Sequence, residues 1–170
     1  MNFEQAIGYV LAEEGGFTAK ESDTGNWTGG KIGKGVLKGT KYGISAASYP
    51  DEDIRNLTKE RAKLLFKRDF WDKIKGDQLP VLICLHVLDF AVNAGVPVAI
   101  RELQRAAGVT VDGLIGPKTL KAAASVTPWK YSEMRIWHYT SLAKKKAAYR
   151  EFLAGWLLRN QKITRVCLES

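Results

Sequence analysis

A chain of 170 residues with 45% hydrophobic content is long and apolar enough for a packed core, which excludes a disordered tail. Its 26 lysines and arginines outnumber 18 acidic residues, and the net charge of +8 favours a polyanionic partner (nucleic acid, a membrane surface or an anionic cell wall) without choosing among them. No run approaches the ~20 apolar residues of a membrane-spanning helix. The opening MNFEQAIGYVLAEEGG also lacks the basic region of a signal peptide, so the sequence predicts synthesis in the cytoplasm and export only with outside help.

The first predicted element is an amphipathic helix over residues 3–14, with Phe3, Ile7, Val10 and Leu11 at helical spacing and Gly15-Gly16 as its stop. Residues 15–50 read as a long glycine-rich loop with a short hairpin around GGKIGKGVLKGTKYGI. NLTKERAKLLFKRDFWDKI predicts a helix capped by Thr58, with Glu60 in its first turn and Ala62, Leu65, Phe66, Phe70 and Ile74 on its apolar face. LPVLICLHVLDFAVNAG is apolar on most sides and predicts a central buried helix between Pro80 and Gly95. VPVAIRELQRAAG opens at Pro97 and stops at Gly108, a short helix starts at Pro117, and one helix is expected over about 129–158. Cys84 and Cys167 are expected as free thiols. The whole reads as one mainly α domain with a glycine-rich loop, no linker and no low-complexity segment.

The glutamate pair at the end of the first helix raises the question of chemistry. Each helical residue advances about 100°. On that count Glu14 falls on the apolar stripe of Phe3, Ile7 and Val10, while Glu13 points to solvent. A desolvated carboxyl has a raised pKa and can stay protonated to act as a general acid. Gly15 and Gly16 would leave room for a bulky ligand beside it. The competing reading is a solvated acidic pair before a glycine stop, which the negative end of the helix dipole disfavours.

Other residues carry two readings each. His86, Asp89 and Asn93 form one polar stripe at i, i+3 and i+7, either lining a cleft or bonded to each other's neighbours in a helix seam. Trp27, Tyr42, Tyr49 and Trp71 lie near the loop, and Trp27 and Tyr42 are the best placed for stacking on a ligand. Trp137 and Trp156 are expected as packing residues. Two histidines with no HExxH spacing give no metal site. GKGVLKG lacks phosphate-loop spacing, and LAKKKAAYR reads as a solvated helix face before it reads as a nucleic-acid patch.

Four stretches then occur in a telling order: EGGF at 14–17, GTKYGISAASYP at 39–50, DIRNLTKERAKLLFKRDFWDKI at 53–74 and DFAVNAG at 89–95. Together they resemble glycoside hydrolase family 108, phage and prophage endolysins with N-acetylmuramidase activity. AIRELQRAAGVTVDGLIGPKTLKAA, 99–123, resembles the peptidoglycan-binding segment that follows in that family. The resemblance implies a lysozyme-like fold, a catalytic part over 1–95 and a peptidoglycan-binding segment over 96–126 packed into the same domain. It implies Glu14 as the catalytic acid. Asp23, Thr24 and Gly25 match the front of the family's following motif and Thr40, Gly43 and Ile44 its back, with an insertion, NWTGGKIGKGVLK, between them.

Glycosidic cleavage needs a proton on the leaving oxygen and stabilisation of an oxocarbenium-like state. Glu14 would give the proton, Asp23 would stabilise charge or activate water, and Thr40 would position that water. Trp27, Tyr42, Asn93 and Asp89 would bind substrate. The expected reaction is hydrolysis of the β-1,4 bond between N-acetylmuramic acid and N-acetylglucosamine, with no cofactor. The implied partners are peptidoglycan and a holin that releases a monomeric enzyme from the host cytoplasm to the cell wall, with no role for nucleic acid. A lytic transglycosylase and a non-catalytic peptidoglycan-binding protein are the alternatives.

Overall fold

The computed structural model describes residues 1–13 and 15–169, without the side chain of Glu13. Glu14 lies outside the described residues. The fold is mainly α, with helices α1 (Phe3–Glu13), α2 (Lys59–Phe66), α3 (Val81–Ala94), α4 (Val96–Ala107), α5 (Pro117–Ala123), α6 (Pro128–Lys145) and α7 (Arg150–Glu169). The chain divides into two compact units, Ile7–Lys67 and Met1–Ala6 with Arg68–Ser170. That division falls inside the stretch 1–95 taken from the sequence as the catalytic part.

In the Ile7–Lys67 unit, Ile7, Val10 and Leu11 of α1 are buried, as are Ile44, Ile54, Leu57, Ala62, Leu65 and Phe66. The long loop holds an antiparallel hairpin of β1 (Thr40–Lys41) and β2 (Ile44–Ser45), in the register Thr40 with Ser45 and Lys41 with Ile44. Its two turn residues, Tyr42 and Gly43, both have positive φ (52° and 75°), which matches the twist of paired strands. Gly39 opens the hairpin at φ 88°, and a Cβ there would fall 2.4 Å from the Thr18 carbonyl oxygen, so only glycine fits. Thr58 caps α2 by accepting from the Arg61 amide at 3.1 Å, as its position before the helix predicts.

The single helix expected over 56–74 does not continue as α. After Phe66 the chain makes a π-helical turn, Lys67–Trp71. That turn adds one residue to the repeat, so the next fully buried aromatic is Trp71, five positions after Phe66, and Phe70 is only half-buried. Trp71 donates its indole N–H to Asp77 at 3.0 Å and meets Phe3 at 5.6 Å between centroids.

In the second unit, α3 is buried continuously from Ile83 to Ala91, and Gly95 at φ 95° turns the chain directly into α4. The helix expected over 129–158 is two helices. Lys146 is extended (φ −134°, ψ 115°), a 3-10 turn follows at Ala147–Tyr149, and α7 then runs to Glu169. No glycine or proline marks the break. It lets α7 return antiparallel along α6, with Tyr139 stacked on Trp156 at 5.1 Å and Asn160 bonded to the Ser132 hydroxyl at 2.7 Å.

The polar stripe of α3 is the seam that joins these helices. Asp89 is fully buried, accepting from Arg135 at 2.7 Å through one oxygen and from Arg159 at 2.9 Å through the other. Arg135, also fully buried, donates to His86 Nδ1 at 2.9 Å. An arginine only donates, so Nδ1 is the acceptor and the proton sits on Nε2, 3.0 Å from Thr164 Oγ1. The Thr164 hydroxyl in turn donates to the Asn160 carbonyl at 2.7 Å.

His86 is therefore held neutral. Burial, then the Arg135 charge, push its pKa well below the ordinary 6.5. The unfolded chain takes up a proton near that value and the folded chain does not, so stability is full above about pH 6.5 and falls as pH drops through it. The expected slope from this residue is up to about 1.4 kcal/mol per pH unit over the range just below pH 6.5. Urea titrations across that range should show it in the wild type, and His86→Gln, which keeps a donor and an acceptor, should flatten it.

Candidate active site

Asn26 organises the glycine-rich loop. It is fully buried, at the end of a 3-10 turn over Thr24–Asn26. Its side-chain N–H donates to the Lys20 carbonyl at 3.0 Å, and its side-chain oxygen accepts from the Thr40 hydroxyl at 2.8 Å. Its backbone carbonyl accepts from both Lys38 and Gly39 at 3.0 Å. One buried amide thus ties residues 20, 26 and 38–40 together.

Asp23 caps the same turn, accepting from the Gly25 amide at 2.9 Å through Oδ1. Its side chain is exposed, and Oδ2 has no partner among the described residues. The Cβ position of Gly25 lies 3.2 Å from that Oδ1 and 3.8 Å from Ser45 Cβ, and Ser45 is the strand partner of Thr40. Asp23 and Thr40 therefore stand on one small scaffold. The Thr40 backbone exchanges both hydrogen bonds with Thr18 at 2.8 and 2.9 Å, and its hydroxyl proton is committed to Asn26. The lone pairs left on that hydroxyl can accept from a water.

Trp27 and Tyr42 belong to the same unit. Trp27 is half-buried, its indole N–H donating to the Glu21 carbonyl at 2.8 Å and its backbone bridged to Leu37. Tyr42 is half-buried, with the Lys41 ammonium 5.4 Å from its ring centroid. The Tyr42 amide donates to the Gly15 carbonyl at 3.3 Å, so the hairpin turn is tied to the residue that follows Glu14 in sequence. The insertion is a closed excursion pinned at its base by the Trp27–Leu37 bridge, with Thr28 and Val36 bonded across it.

The other two candidates lie in the second unit. Asp89 has no exposed surface and both oxygens held by arginines, so the structure places it in the helix seam and not on a sugar-binding surface. Asn93 is exposed, with its side-chain oxygen accepting from Tyr139 at 2.9 Å. Trp71 is fully buried and Trp137 is 54% exposed, so Trp137 is a surface ring, contrary to its expected packing role. Asn26 is the residue that sequence reasoning missed. It opens the stretch that looked like an insertion, and no periodicity marks it.

Asn26→Ala should cost about 1–3 kcal/mol, because it leaves the Lys20 carbonyl and the Thr40 hydroxyl without their buried partner. Chemical denaturation should show that loss, and a change below about 0.5 kcal/mol, the range of an ordinary surface substitution, would contradict the hub role.

The sequence profile of Glycosyl hydrolase 108 matches residues 7–95, and that of the Predicted Peptidoglycan domain matches residues 98–161. Among solved structures, the chain is similar to SagA of Brucella abortus, with 27% identity and a TM-score of 0.77 over 98% of this chain and 94% of that one. No curated protein sequence matches it. The similarity agrees with the mainly α, lysozyme-like architecture. With the first profile spanning over half of its length, the chain belongs to the Glycosyl hydrolase 108 family and is a glycoside hydrolase that acts on peptidoglycan.

Proposed function

We propose that the chain hydrolyses the β-1,4 bond between N-acetylmuramic acid and N-acetylglucosamine, with Glu14 as general acid. The observation that carries this reading is the shared scaffold of Asp23 and Thr40 within the residues matched by the hydrolase profile. Glu14 donates its proton to the leaving oxygen. The free oxygen of Asp23 faces solvent, where a carboxylate stabilises the oxocarbenium-like centre or deprotonates the attacking water. Thr40, its own proton held by Asn26, accepts a hydrogen from that water and so orients the water's lone pair. Trp27 and Tyr42 offer ring faces for sugar stacking, and Asn93, which belongs to the other unit, is retained as a sugar contact on the sequence resemblance.

Phage origin, a monomeric state, lack of nucleic-acid binding and retention in the host cytoplasm until a holin opens the membrane are parts of the same proposal. They rest on the sequence resemblance alone. The test of the reaction is mass spectrometry of fragments released from purified peptidoglycan. Reducing N-acetylmuramic acid ends are expected. Anhydro-muramic ends would make the reaction a transglycosylation, and reducing N-acetylglucosamine ends would move the cut to the other bond.

A further inference from the structure

A cavity of about 250 Å³ opens between α4 and α6, and none of the residues assigned above to hydrolysis lines it. Glu102 forms part of its lining and is only 2% exposed. One carboxylate oxygen is taken: Arg105 donates to Oε1 at 2.5 Å, and His138 Nδ1 lies 3.8 Å from the same atom. The other, Oε2, is buried with no hydrogen-bond partner among the described residues. Buried polar atoms are normally filled, and an unfilled carboxylate oxygen keeps the full cost of its lost water. That atom calls for an N–H donor.

The rest of the lining has the opposite sign. Arg101 and Lys145 stand there with no acidic partner among the described residues. Trp137 contributes an exposed indole, and the Arg105 guanidinium lies 5.4 Å from its ring centroid. The ligand that fits carries a cationic N–H group for Glu102, carboxylates for Arg101 and Lys145, and a chain to lie on the Trp137 face. A glycan offers neutral hydroxyls and acetamides and matches this poorly. A nucleic acid or an anionic wall polymer satisfies the cations but leaves the carboxylate opposed by like charge.

Peptidoglycan carries one component with the required pattern. Its stem peptides end in carboxylates, and where a strand is not cross-linked the diamino acid keeps a free ammonium beside one of them. We propose that the α4–α6 cavity is a subsite for the zwitterionic end of an uncross-linked stem peptide, with Glu102 receiving the ammonium, Arg101 and Lys145 the carboxylates, and Trp137 the peptide chain. This rests on peptidoglycan being the substrate. It assigns the second half of the chain a preference for peptide over glycan, and for open strands over cross-linked ones.

The test is calorimetric titration of the full chain with a muramyl tripeptide ending in a diamino acid, with its side-chain amine free or acetylated. Wild type should bind the free amine at least tenfold more tightly than the acetylated form. In Glu102→Gln that preference should disappear, the coupling expected of two groups in contact. Arg101→Ala, a change on the exposed rim, should weaken the free form several-fold and lose sensitivity to amidation of the carboxylate. Trp137→Ala should weaken both forms alike. The proposal is overturned if wild type binds neither form, binds both equally, or if the preference survives in Glu102→Gln with Arg101→Ala still sensitive to amidation. The muramyl tripeptide contains no bond between the two sugars, so these results stand apart from the hydrolytic reading, whose failure would appear in the fragments released from intact wall.

Discussion

Glu14→Gln is expected to lower the release of glycan fragments from peptidoglycan by about 10²–10⁴-fold, the range associated with a single general acid or base. Glutamine keeps the size and the hydrogen-bonding oxygen and removes the transferable proton. Helical spacing and the family resemblance both point to this position. Phe3, Ile7 and Val10 form the buried stripe of α1, at 8%, 0% and 0% exposure, and residue 14 follows on the same spacing. The Tyr42 amide holds the carbonyl of its neighbour Gly15. Glu13→Gln, one residue earlier and off the stripe, should clear cell walls at the wild-type rate. If the two variants exchange these phenotypes, the acid has been assigned to the wrong glutamate. If neither loses activity, the general acid lies elsewhere in the chain.

Asp89→Leu is expected to destabilise the protein by about 3–5 kcal/mol, because it leaves the fully buried Arg135 with an uncompensated charge. The loss should appear as a lower urea midpoint with an unchanged slope. Adding Arg135→Met should recover part of it, since the second change removes the charge that the first one stranded. A sugar ligand would behave otherwise. Its loss would raise KM with stability intact, and the double variant would be no more stable than the single one. The comparison therefore separates the seam from the cleft by measurements that do not share a readout.

Much of the helical frame was legible because its signals are local. Thr58 before α2, Pro80 and Gly95 around α3, and Pro97 and Gly108 around α4 each act within a turn of where they stand. The break at Lys146 and the π-helical turn at Lys67 were not legible, because neither contains a helix-breaking residue. The first depends on α7 packing back on α6 and the second on which ring is buried, and both are tertiary preferences that override propensity. Asp23 and Thr40 could be singled out only through resemblance. Their proximity is the work of Asn26, a polar residue whose burial no spacing rule announces. Trp137 was misjudged, and of the two readings of Asp89 the structure bears out the seam and overturns the sugar contact. The sequence shows their residue types, but which face of α6 meets α4 and α7, and which arginines reach α3, is settled only by packing.

The π-helical turn between α2 and Trp71 has a bearing on how this chain is compared with its kin. A helix that gains a residue can absorb it as one widened turn, leaving the buried positions on both sides in place. Here Phe66 and Trp71 are both buried five positions apart, where an uninterrupted α-helix would space such neighbours by three or four. A relative with a plain helix in this segment would match it with a single-residue gap in the middle of the helix. Arg68 through Trp71 are the residues whose counterparts would shift if the extra residue were placed outside this turn.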